Sequence, residues 1–322
     1  MQKTARPKYD HRQSQFYRLR CRRGLATLLN VSSEPVLHEL VRVKPLTYRV
    51  FRNETGRIIE APTGPLLNLH QRAAALLRRL NLPDYVHSQK GRSYVTNARA
   101  HATNEPTIKT DISGFFTHTT AAAVRWFFRN VMECSPDVAR LLGDLLCYEG
   151  HVATGSPVSN ELAFFANQHI MDAINEYAVQ NGCKMTLLVD DITITGPAAS
   201  KKMLHGVVAI LRSANHQVSP KANKTRTYGT GQTKHITGTV VHGGRVKLPN
   251  RRQKDLLDAF TEASFRSITK RAMVTANRKL RGHLAEAKSV DAGGISSKFT
   301  QPRRRPCSKA AVPVPIQLEA AA

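Results

Sequence analysis

The chain has 322 residues, 41% of them hydrophobic, enough to bury a sizeable core in one large or two ordinary domains and too apolar for a disordered chain. Lysine and arginine outnumber the acids 48 to 23, a net charge of +25, which is the electrostatic footprint of a nucleic-acid partner. No apolar run is long enough to span a bilayer, the opening MQKTARPKYDHRQSQ has no apolar stretch behind its charges, and the five cysteines lack the spacing of a zinc site or a disulfide framework, so a reduced, cytosolic protein is expected.

Residues 1–12 are polar and basic and are expected to be mobile. Between 13 and 29 the apolar positions Phe16, Leu19, Leu25, Leu28 and Leu29 predict an amphipathic helix, with Arg18, Arg20, Arg22 and Arg23 on its other face. Such a face is either solvated or set against phosphate. A second short helix opens at Ser33, Glu34 and Pro35. Residues 48–52, a turn at 53–56 and residues 57–61 make a hairpin stopped by Pro62, with Arg57 just past the turn. Apolar residues at helical spacing from Leu66 to Leu80 read as a core helix.

The stretch HSQKGRSYVTNARAH at 87–101 sets Gly91 between Lys90 and Arg92, which suits a basic loop approaching a backbone phosphate. Residues 107–111 alternate like a half-buried strand and end on Asp111. Helices follow at 119–134 and from Ser135, where Pro136 and Asp137 favour cap and dipole. Gly155, Ser156 and Pro157 interrupt the pattern before a long helix at 159–181, closed by Gly182. The run MTLLVDDITITG at 185–196 predicts a hairpin with Asp190 and Asp191 at its tip. A helix at about 199–214, a basic loop with Lys221, Lys224 and Arg226, a strand at 235–241 and its partner at 245–248 lead to Pro249. From 250 to 289 a basic helical module has Leu256, Leu257, Phe260, Phe265, Ile268, Met273, Leu280 and Leu284 on its apolar side. The stretch beyond Val290, rich in proline, alanine and arginine, is expected to be disordered.

Adjacent like charges at a tight turn repel, and add nothing to stability unless a cation sits there. A bare Asp-Asp pair is more often only a polar turn, and what favours chemistry is Asp111 at the end of a second strand. If the two strands lie side by side, three carboxylates meet at one sheet edge. A pair of Mg²⁺ ions needs such a cluster to clamp the attacking and leaving oxygens of an in-line phosphoryl displacement.

Over roughly residues 13–289 the order of these features resembles a reverse transcriptase, with fingers, palm and thumb in sequence. Asp111 with Phe115 and Phe116 matches the first palm motif, and Val189, Asp190 and Asp191 match the last three places of YxDD. Asn97, Ala98 and His101 stand as the NAxxH motif of bacterial retron enzymes, and Ile236, Thr237 and Gly238 stand where those carry VTG. Within the class the chain is therefore most similar to retron reverse transcriptases.

The resemblance implies an α+β fold, a right-hand polymerase with a flexible N-terminus at 1–12, N-terminal helices and fingers at 13–106, a palm with an antiparallel sheet at 107–249, a fingers insertion at about 117–153, a helical thumb at 250–289 and a disordered tail at 290–322. It implies that Asp111, Asp190 and Asp191 are catalytic and hold two Mg²⁺ ions. Arg57 would contact the incoming triphosphate, Phe116 would clash with a 2′-hydroxyl, Gly155 and Pro157 would support nucleotide and template, and Lys224 would give a proton to pyrophosphate. Lys90, Arg92, Asn97 and His101 would touch RNA, although Asn97 and His101 also read as a structural pair.

The implied function is RNA-directed DNA synthesis on a cognate structured noncoding RNA. Its product would be single-stranded DNA joined to that RNA, made from deoxynucleoside triphosphates in the bacterial cytoplasm, in anti-phage defence with an effector protein and no membrane. Rival readings are a non-retron defence-associated or intron-like reverse transcriptase and an inactive RNA-binding protein. Two departures stand out: Leu188 occupies the place of the usual tyrosine, and Ala153 and Thr154 that of the usual proline and glutamine.

Overall fold

The structure is a computed structural model and describes residues 7–221, 223–264 and 270–291. Residues 1–6, the tail from 292 onward, and Phe265 and Ile268 of the predicted apolar side lie outside the described residues. In chain order the elements are helices α1 (Arg22–Leu28) and α2 (Glu34–Arg42), strands β1 (Tyr48–Arg52) and β2 (Ile58–Pro62), helices α3 (Gly64–Leu77) and α4 (Tyr94–Arg99), and strand β3 (Thr107–Asp111). Helices α5 (Phe115–His118), α6 (Ala121–Trp126), α7 (Pro136–Leu146) and α8 (Ser159–Gln180) precede the hairpin β4 (Lys184–Leu188) and β5 (Asp191–Thr195). Helix α9 (Lys201–Ser213), strands β6 (Arg226–Tyr228), β7 (Lys234–Ile236), β8 (Thr239–His242) and β9 (Arg245–Lys247), and helices α10 (Asn250–Ser264) and α11 (Lys270–Val290) complete the chain.

The fold is α+β, with antiparallel pairing between all of these strands, in sheets of two, four and three strands. Strand alternation sorts the four-stranded sheet, ordered β4-β5-β3-β6, into two faces. On one face Met185, Leu187, Ile192, Ile194 and Ile108 join Ile170 and Ile174 of α8 and Met203 and Val207 of α9 in the main core. Burying each such side chain contributes about 1.5–3 kcal/mol. The other face carries Thr186, Thr193, Thr195, Thr107 and Lys109 and ends at Asp191 and Asp111. Outside β4, residues 85–87 lie along its free side: Leu187 N donates to Tyr85 O and His87 N to Leu187 O, each at 2.7 Å. Among the described residues no helix is long and apolar enough to cross a membrane.

A second, smaller core joins α4, the sheet β7–β9 and helices α10 and α11 through Val95, Ala98, Ile236, Val241, Leu256, Leu280 and Val290. Residues 94–101, assigned from sequence to the 13–106 unit, thus pack with the C-terminal elements.

Four local expectations are corrected. Residues 7–12 are held, not loose: Tyr9 N donates to Arg79 O at 2.9 Å, and the Arg79 guanidinium lies 4.6 Å over the Tyr9 ring. The helix predicted at 13–29 is confined to α1, because Arg18 N donates to Met132 O and Ser135 N to Leu19 O; Arg18 takes φ 56°. Those tertiary bonds compete with helical ones. The helix predicted at 119–134 becomes α6 followed by a π-helical turn over Phe127–Val131, with Phe127 and Phe128 both buried. The strand predicted at 235–241 folds back on itself, since Thr237 and Gly238 adopt φ 43° and 81° in a two-residue turn between β7 and β8.

Candidate active site

The β4–β5 hairpin closes through Val189 and Asp190, with Leu188 opposite Asp191. Val189 takes φ 62° in the first place of this turn, where glycine is the usual residue, a conformation that costs a β-branched side chain about 1–3 kcal/mol. Strand β3 pairs with β5 so that Asp111 is the direct partner of Asp191, and both side chains leave the sheet on the same face. Ile112 N donates to Asp190 O at 3.0 Å and Ser219 N to Asp111 O at 2.7 Å, which tie the turn and the strand end together.

Burial, then the fields of Asp111 and Asp191, push the Asp190 carboxyl up to about 6. Burial raises Asp191 as well, against the pull of Lys224. Lys224 Nζ donates to Asp111 Oδ1 at 2.6 Å. Burial works against the Lys224 charge, but the Asp111 hydrogen bond and the three carboxylates together raise it. Sequence reasoning missed Lys109, two residues before Asp111 and hence on the same strand face; burial lowers its pKa, against the pull of Asp191.

Among the described residues, no group of three or more His, Cys, Asp and Glu side chains is arranged to hold a metal ion. The donor chemistry nonetheless fits a hard cation: Asp111, Asp190 and Asp191 offer only carboxylate oxygens, and Asp190 is raised by burial and then by the two neighbouring carboxylates, against the pull of Lys224. A cation on Asp111 Oδ1 would displace the Lys224 ammonium from that oxygen.

Phe116 is partly exposed at the start of α5, its ring 5.9 Å from that of Phe115; Gly114 precedes them at φ 56°. Arg57 stands exposed at the turn end of the β1–β2 hairpin, its backbone N–H held by Asn53 Oδ1 at 3.0 Å. Gly155 lies under that hairpin: its N–H donates to Glu60 O at 3.1 Å, and an added Cβ would stand 2.7 Å from Ile59 Cγ2. Pro157 O accepts from Arg78 Nη2 at 2.8 Å.

Of the residues assigned to RNA contact, Lys90 is exposed on a groove of about 980 Å³ that also touches Arg78, Phe164 and Leu188. Arg92 lines the same groove but is held by Asp84, its Nη2 3.1 Å from Oδ1. Asn97 and His101 are fully buried, which corrects their assignment to an RNA-contacting surface. His101 Nδ1 lies 2.8 Å from Thr195 Oγ1 and Nε2 lies 2.7 Å from Thr186 Oγ1, which fastens the end of α4 to the threonine face. Burial lowers its pKa to about 3, so the ring is neutral. Thr237 Oγ1 donates to Tyr94 O at 2.9 Å, in the first turn of α4, and Ala98 and Ile236 share the smaller core, so α4 and the ITG segment meet at one joint with the C-terminal helices.

No protein-family model matches the chain. It is 25% identical over 245 residues to the Retron Se72 reverse transcriptase of Salmonella heidelberg (strain 579083-10), an alignment covering 70% of this chain and 62% of the relative. To the Retron Ec48 reverse transcriptase of Escherichia coli it is 29% identical over 112 residues, 35% of this chain and 28% of that one. The chain thus spans less than two thirds of the length of these curated relatives. The solved structure of a foamy viral protease-reverse transcriptase with double-stranded DNA aligns over 79% of this chain and 40% of that one, with 12% identity and a TM-score of 0.42. The relatives and the NAxxH and xDD motifs agree, and the chain is a relative of the retron reverse transcriptases.

Proposed function

We propose that the chain is an RNA-directed DNA polymerase of retron type, with fingers at 13–106 and about 117–153, palm at 107–249 and thumb at 250–289. The observation that carries this reading is the register that sets Asp111 against Asp191, with Asp190 in the adjoining turn and its carboxyl raised by burial and then by its neighbours. Asp111, Asp190 and Asp191 would hold two Mg²⁺ ions, which supply charge stabilisation to the attacking and leaving oxygens. The side chains then orient and select. Arg57 offers a planar fork to the triphosphate, Phe116 crowds a 2′-hydroxyl, and Lys224, already protonated on Asp111, holds the proton that pyrophosphate takes up. Gly155 and Pro157 support nucleotide and template, and Lys90 faces the RNA.

Two relatives are named retron reverse transcriptases, which supports the retron reading. On that reading the template is a structured noncoding RNA, the DNA product stays joined to it, and an effector protein is the partner in anti-phage defence. Nucleic acid recovered with the protein from its host, run on a denaturing gel, should give a discrete DNA band that moves faster after ribonuclease. RNA alone would favour an RNA-binding protein, and long DNA free of RNA another defence polymerase. Changing Asp190 and Asp191 together to alanine should abolish DNA synthesis with RNA binding intact; synthesis that survives would refute the metal-site assignment.

A further inference from the structure

The β1–β2 hairpin is joined to the loop at 148–156 by more than shape. Glu60 is buried, yet its carboxylate meets His151 Nε2 at 3.1 Å from each oxygen and accepts from Thr154 N at 3.3 Å. The Thr154 hydroxyl donates to Ile58 O at 2.9 Å and accepts from Glu60 N at 3.2 Å, while Gly155 N donates to Glu60 O. Residues 154–155 therefore run along β2 as a short added edge, closed by the hydrogen bonds between Glu60 and His151. At the base of the hairpin the rings of Tyr48 and Tyr148 stack with centroids 4.2 Å apart.

Thr154 stands where the resembled pattern has glutamine, and it points its one hydroxyl at the hairpin backbone. The Glu60 carboxylate and the Thr154 hydroxyl are both bonded within the protein, and neither residue is assigned to substrate. The hairpin turn beyond this joint carries Arg57, and β2 there is exposed at Ile58 and only half-buried at Ile59.

We infer that Glu60, Thr154 and His151 are positioning residues that hold the β1–β2 hairpin in place and so set where Arg57 stands for the triphosphate. The inference rests on the polymerase reading, and it adds residues that touch no substrate but set nucleotide affinity. Loss of one arm of the joint loosens the hairpin and lowers triphosphate affinity while the step at the three acids keeps its rate.

The test compares Glu60→Gln and Thr154→Val with Thr154→Ser, which keeps the hydroxyl, in the full chain. Hydrogen exchange of the Glu60 and Gly155 amides should quicken roughly tenfold in the first two and stay near wild type in Thr154→Ser. In parallel, KM for a deoxynucleoside triphosphate should rise about tenfold with kcat little changed, and binding of dGTP without turnover should weaken by the same factor. Unchanged exchange in both variants overturns the joint. Faster exchange with unchanged KM and dGTP affinity overturns positioning, since a merely structural contact gives that pattern. A wild type that protects both amides but neither binds nor incorporates dGTP refutes the polymerase reading and the positioning role with it, while the exchange data separately establish the joint.

Discussion

Replacing Asp190 with asparagine should make the protein more stable without divalent cations and inactive with them. Burial and the neighbouring carboxylates of Asp111 and Asp191 raise the Asp190 carboxyl from 3.8 to about 6. Between those values the folded chain holds more protons than the unfolded chain, so stability falls as pH rises through this window. Above about 6 both states are ionised and the whole penalty remains. The gap between 3.8 and about 6, at ~1.36 kcal/mol per pH unit, makes that penalty about 3 kcal/mol as an upper bound. Asparagine keeps the shape and removes the charge. In urea unfolding at pH 8 with chelator, Asp190→Asn should therefore gain about 1–3 kcal/mol over wild type, and the gain should shrink below about 1 kcal/mol at pH 4. Added Mg²⁺ should stabilise wild type and leave the variant nearly unmoved. Equal unfolding midpoints at pH 8 in chelator would show that Asp190 does not sit in a repulsive, desolvated place, and the reasoning from the acid cluster would fail.

Gly155→Ala should destabilise the fold by about 1–3 kcal/mol in thermal unfolding, because its Cβ would meet Ile59 Cγ2 at 2.7 Å and Glu60 O at 2.9 Å. His70 and His101, both buried and lowered to about 4 and about 3, should make the protein acid-sensitive. The fold binds fewer protons than the unfolded chain below about 6.5, so each histidine's contribution is complete above that pH and shrinks by about 2 kcal/mol on reaching pH 5. Urea titrations at pH 7 and 5 should show a smaller acid loss in His101→Gln than in wild type. Lys224→Met should lower kcat by about 10²-fold in single-turnover incorporation, and less Mg²⁺ should be needed for half-maximal activity, because no ammonium then competes for Asp111 Oδ1.

The hairpin at 185–196 was legible because two alternating arms flank a turn, and a period of two fixes which residues share a face. That rule places Asp111 and Asp191 each at a strand end, and their meeting was conditional on the two strands lying side by side; the pairing itself came from the sheet. The partners of His101 were not legible, since Thr186 and Thr195 lie about ninety residues away and a threonine in a strand carries no signal of what it bonds. The same holds for Glu60, a buried carboxylate whose partner His151 belongs to a loop. Helix 13–29 failed differently. Its apolar spacing was real, but Phe16 is buried by an irregular segment whose backbone bonds go to residues 132–135. Where a site depended on local period, sequence sufficed; where it depended on long-range polar pairing, it did not.

The strip of residues 85–87 along β4 has a consequence for how this molecule can associate. An uncovered outer strand offers a row of amide and carbonyl groups onto which a foreign strand can dock, and such docking drives both specific assembly and aggregation. Here the Leu187 amide and carbonyl, near the tip of the acidic hairpin, are already taken by Tyr85 and His87. At the opposite border β6 is only three residues long, too short for a stable added strand. The sheet that carries the three acids is thus closed to growth at the Leu187 position and blunt at its far border, and a partner chain must recognise it through side chains.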